Sequence, residues 1–292
     1  MTGKLSAYKN IVLTALLSFA IFYPGVCLPG GTPAAAPVQQ SLPKAANIAD
    51  AFVNEELSYS IGFWLFEGVA FGKVSLKKGE NGDYTATLTA HTAGALDRIL
   101  YHREDTYVAH FRLAEGGRRF VTTSFDKTIE SGGKVKKSLT TFHYDRGEMS
   151  WNSREEGRGE RSGVEKLPPG VYYDDPIGAF YNFRFGVYGP VEEGRKYQIP
   201  SFPKKGVVPM IHLRIADRGE FMEANSKETD ADYLSYATID RDLFGSQTGN
   251  IEIYFTRGMV PVEAVVKDLI FFGDVRGTLI KEGNDPAPSA NR

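Results

Sequence analysis

The chain has 292 residues, with 34 Lys and Arg against 36 Asp and Glu and a formal net charge of -2. So even a balance leaves no electrostatic footprint for nucleic acid, and none for an anionic membrane surface. Cys27 is the single cysteine, which excludes an intramolecular disulfide, so the fold must stand on its core alone.

The first ten residues carry Lys4 and Lys9 and no acid, an apolar run follows from Ile11 to Tyr23, and Pro24-Gly25 breaks it. This is the order of a secretory signal peptide over residues 1–27, too short to span a bilayer, which needs about 20 apolar residues. Export to the periplasm is the expectation. Val26 is a branched residue ahead of Cys27, which favours plain cleavage over an outer-membrane lipoprotein lipidated at that cysteine. The cut is expected beside Cys27 or within Thr32 to Ala36, though not after Ala36, because Pro37 would follow. Residues 28–50 read as a Pro/Ala-rich linker, residues 51–281 as one β domain and residues 282–292 as a disordered tail. The domain is large enough for a substantial core.

From Leu57 onward apolar residues alternate with polar ones, the period of half-buried strands. Leu57, Tyr59, Ile61, Phe63 and Leu65 share one face; Tyr84, Ala86, Leu88 and Ala90 oppose Thr85, Thr87, Thr89 and His91. Further strands are expected around Val121 to Ile129, Ser138 to Tyr144, Ile211 to Ile215, Ile251 to Phe255 and Val275 to Ile280. Val262, Ala264 and Val266 are expected on one face of another. Short turns such as Asn81-Gly82-Asp83 and Ser131-Gly132-Gly133 join the runs, so the strands form antiparallel meanders. About a dozen strands require a sheet that curls to manage its edges. The expected fold is therefore mainly β: a large curved antiparallel sheet closing into a barrel or half-barrel.

Two segments break the alternation. Gly94 to Tyr101 fits one or two helical turns, with Leu96, Ile99 and Leu100 on one side. Asp174 to Phe185 fits a helix better: an Asp caps it, Pro176 suits its first turn, and Ile177, Phe180, Tyr181 and Arg184 recur at helical spacing. Its apolar stripe implies that it packs on or in the sheet and covers one opening. Arg154 to Arg161 reads as a solvated hairpin end.

Three stretches resemble an uncharacterised family of bacterial envelope proteins, domain of unknown function 3108. The first is Glu56 to Ile61 with Trp64, Gly68 and Gly72. The second is Asp175 to Arg184, similar to that family's central helix, and the third runs from Ile251 to Leu279 through Val260-Pro261-Val262 and Gly277-Thr278-Leu279. The resemblance implies no established activity. The last stretch also looks like the closing hairpin of periplasmic lipoprotein carrier and acceptor folds, where a curved sheet holds acyl chains beneath a helical lid; this is a likeness of fold alone.

Reactive constellations are sparse. His102, Glu104 and His110 share parity on an extended strand, but the two histidines would stand ~26 Å apart unless a turn separates them, so no metal site is expected. No Ser occupies a G-x-S-x-G elbow, and no Gly-rich loop has P-loop or dinucleotide form. Asp174 and Asp175 precede a Pro at a helix start, the place of capping residues. No catalytic residue and no cofactor is expected. The remaining candidate is an apolar interior, filled by its own side chains or open to a lipid, a lipoprotein or another apolar envelope molecule. Phe180, Tyr181 and Trp64 are its candidate contacts. Arg184 either meets an anionic headgroup or makes a structural ion pair. The alternative is an interaction module of the cell envelope whose core is filled and whose partner is another protein.

Overall fold

The computed structural model describes residues 45–63, 66–99, 101–203, 209–225, 229–239, 247–269 and 273–281. The leader, Trp64, Leu65, Leu100 and the tail lie outside the described residues.

Eight strands run as one meander: β1 (Glu56–Phe63), β2 (Phe66–Lys78), β3 (Tyr84–Thr92), β4 (Glu104–Ala114), β5 (Arg119–Ser131), β6 (Lys134–His143), β7 (Glu148–Glu155) and β8 (Gly159–Lys166). Six more form a second meander: β9 (Lys196–Pro200), β10 (Met210–Ile215), β11 (Tyr233–Thr238), β12 (Asn250–Phe255), β13 (Pro261–Leu269) and β14 (Gly273–Leu279). Pairing of β14 with β1 joins the two into one antiparallel sheet with β8 and β9 at its edges. Among the described residues four α-helices accompany it: α1 (Ile48–Phe52), α2 (Gly94–Ile99), α3 (Pro176–Phe185) and α4 (Arg218–Ala224).

The edges do not pair, so the sheet is an open curl and not a closed barrel. Its curvature follows from what α3 touches. In the sheet order β5 and β9 stand ten strand intervals apart, roughly 48 Å if flat. Yet the ring of Phe125 on β5 lies 5.6 Å from that of Phe202, just beyond β9. Phe183 of α3 packs 5.3 Å from Tyr197 on β9, while Asn182, one residue away, bonds the backbone of β5. Only a sheet wrapped around the helix satisfies both contacts.

Accordingly α3 is buried almost all round, not along one stripe. Ile177, Tyr181 and Phe185 join a core with α1 and β1–β5; Ala179 and Phe183 join a second core built on β9–β14. The helix begins as its sequence dictates. Asp175 caps it, accepting from the Ile177 and Gly178 amides at 2.8 and 3.1 Å, and Pro176 follows at the first position. Gly186 ends it in the left-handed region at φ 82°.

Two expectations change. Residues 48–50 are not linker: Asn47 caps α1, and Ile48, Ala49 and Phe52 are buried in the core. Val262 does not share a face with Ala264, because a register shift between Tyr254 and Phe255 turns it toward the outer cluster, next to α4. The helical turns expected from Gly94 are present as α2, where Ile99 is 62 % exposed.

Candidate functional site: an apolar interior beneath helix α3

The cavity is made by absent side chains. Along the concave face, Gly72 of β2 stands opposite Ala90 of β3, and Gly277 of β14 opposite Ala264 of β13. A Cβ on Gly277 would meet no heavy atom within 4 Å. Between this floor of small residues and the Pro176, Ile177 and Phe180 side of α3 lies a cavity of about 100 Å³. Its walls come from both meanders, including Ile61, Leu88, Tyr107, Phe125, Ile251 and Ile253. A second apolar void of about 30 Å³ lies between α3 and β9–β12, and it too is bounded by Pro176 and Phe180. Phe180 is therefore a partition. It is half-buried between buried neighbours, its ring edge-on to Tyr181 at 5.0 Å and beneath the Arg184 guanidinium at 4.7 Å.

The polar groups around the helix fix its position. Asn182 pairs with β5 as a strand would, donating to the Phe120 carbonyl and accepting from the Phe120 amide, both at 2.9 Å. The Thr122 hydroxyl donates to Asp175 at 2.6 Å. Asp174 accepts from Arg119 at 3.1 Å and from Asn182 at 3.2 Å. Burial pushes the Asp174 carboxyl up to about 7 against the pull of Arg119, and Asp175 up to about 6. These two acids hold the helix to the sheet.

Of the residues singled out from the sequence, Phe180 lines the cavity. Tyr181 is fully buried in the α1 core and does not line it. Arg184, 1 % exposed, donates through both terminal nitrogens to Glu55 at 2.6 Å and through Nε to the Met259 carbonyl at 2.7 Å. Its guanidinium is occupied by a structural ion pair, the second of the two roles expected for it. Trp64 lies outside the described residues. His110 sits on β4 and His102 just before it; the strand between them has no turn. Instead His110 pairs with Thr85, and His102 with Asp97.

Three contributors escape sequence inspection. Glu55 is 129 residues from Arg184, and nothing local announces the partnership. The Gly and Ala floor was open to reading as small residues at core-facing strand positions, a sign of close approach or of space. Lys127 lies on the concave face of β5, two residues from Phe125 and directly opposite Tyr107.

This arrangement defines a class of protein: an antiparallel sheet curled around a central helix, with apolar space between them. The chain belongs to the DUF3108 family, whose model, described as a protein of unknown function, matches residues 58–280. No curated protein and no solved structure matches it.

Proposed function

We propose that this chain is an exported, non-catalytic protein of the bacterial envelope that binds a lipid, lipoprotein or other apolar molecule between α3 and the concave face of its sheet. The observation that carries this reading is the cavity of about 100 Å³ lined by apolar side chains from both meanders. Space of that kind costs stability, because lining atoms forgo contacts that a larger side chain at Gly277 or Ala264 would supply. An occupied interior offsets that cost. Ligand sites usually enclose roughly 300 Å³ or more. A chain longer than a few methylenes therefore enters by swinging Phe180 aside, which joins the two voids that this ring divides. No helix among the described residues is long and apolar enough to cross a membrane.

The test is binding of an uncharged apolar dye, N-phenyl-1-naphthylamine, to delipidated protein. Wild type gives saturable fluorescence enhancement. Gly277→Val, which grows into open space on a strand that favours β-branched residues, suppresses it by about tenfold at unchanged circular dichroism. Equal dye binding by both proteins overturns the location, and no binding by wild type overturns the reading. A second reading, an interaction module with a filled core, is favoured by one observation: Phe66, Ile99 and Tyr101 stand 53–62 % exposed around the β1–β2 and β3–β4 connections.

A further inference from the structure

One cross-strand row on the concave face changes character midway. Leu57, Val74, Leu88 and Tyr107 follow one another across β1–β4; Lys127, Ser138, Ser153 and Arg161 continue the row across β5–β8. Leu88 and Tyr107 line the cavity, so the row passes from its wall onto a hydroxyl- and cation-bearing surface within one strand spacing, about 5 Å.

Lys127 stands at that border. It is half-buried, with Nζ 5.2 Å from the centre of the Tyr107 ring. Among the described residues no carboxylate lies within ion-pair distance of it. The nearby Asp105 is already taken by Arg103, which donates to both its oxygens at 2.8 Å, and Lys136 on β6 pairs with Glu155 at 3.8 Å. Burial pushes the Lys127 ammonium down to about 8, with Arg103 and Lys136 acting in the same direction and Asp105 against it. An ammonium kept on a partly desolvated wall without a counter-ion is costly unless an anion meets it. Ser138, directly opposite on β6, adds a hydroxyl on the same face.

Resting on the apolar-ligand reading, we infer that the ligand is an amphiphile with one anionic head: its apolar part lies under Phe180 and its head is bound by Lys127 with Ser138. A fatty-acid carboxylate and a phosphodiester lipid head share this chemistry.

Calorimetry on the delipidated full chain at pH 7 tests it with three twelve-carbon probes: dodecanoate, lauroyl-lysophosphatidylglycerol and dodecan-1-ol. Wild type is expected to bind at least one anion about tenfold more tightly than the alcohol, the scale of one hydrogen bond to a charged group. Lys127→Gln should erase that preference while leaving alcohol binding unchanged, and Lys127→Arg should keep it. Which anion shows the preference identifies the source, free acid or lipid. Equal binding of anions and alcohol by wild type, or a preference that survives Lys127→Gln, overturns the head site while the apolar cavity stands. Binding of none of the three overturns the apolar-ligand reading and the head site together.

Discussion

Asp174 and Asp175 are adjacent in sequence but hold the helix in different ways. Asp175 does what its place before Pro176 announces, capping α3; Asp174 turns to Arg119 and Asn182, partners that no local pattern reveals. Both are held above the ordinary carboxylate value of 3.8, to about 7 and about 6, because burial penalises the charge. The folded state therefore keeps protons that the unfolded chain releases. Their contribution to stability is full below about pH 4 and is lost as pH rises through 6 and 7, at up to about 1.4 kcal/mol per pH unit for each proton. Urea unfolding across pH 5–8 should show stability falling as pH rises, with a shallower slope in Asp174→Asn. A wild-type stability that instead rises over this range through Asp174 would mean that Arg119 holds it ionised. Arg184 illustrates the opposite case. Its guanidinium is 1 % exposed and its Glu55 partner comes from the segment before β1, so Glu55→Ala leaves a buried charge uncompensated. We expect a loss of about 3–5 kcal/mol in chemical denaturation. A loss under about 1 kcal/mol would mark the pair as dispensable.

At the scale of elements, α3 faces the sheet at Gly178 with little room for a side chain. A Cβ there would lie 2.8 Å from the Asp175 carboxylate, 3.0 Å from the Thr122 hydroxyl and 3.2 Å from the Phe111 ring. Gly178→Ala, ordinarily favourable in a helix, should destabilise by about 1–3 kcal/mol because it forces the cap and its threonine apart. A neutral or stabilising result in thermal melts would show that the helix seats more loosely. The strands and α3 are legible because their periods extend over enough residues to be distinguished; β3 alternates without exception until His91. α1 spans five residues, too few for a period, and borders a Pro/Ala-rich stretch. α4 spans seven, and its only local sign is the Asp217–Glu220 capping box. The bulge that displaces Val262 cannot be read from alternation, since it depends on the register with β12.

For the whole molecule, the sequence reveals antiparallel meanders and a curl but not the pairing of β14 with β1, which places the start and end of the sheet's chain side by side at its middle. That pairing is non-local, and with it comes the cavity, whose floor combines Gly72 from the first meander with Gly277 from the second. The family match takes in all of this sheet except Glu56 and Leu57 and carries no activity with it. What the architecture supplies is an interior lined from both meanders and divided by the Phe180 ring. Native mass spectrometry of protein purified from its host without detergent tests that account most directly. Wild type should carry a reproducible adduct of lipid mass, and Gly277→Val should fly bare at the same folded charge states. A bare wild-type mass in repeated preparations, or an adduct that Gly277→Val retains, would contradict it.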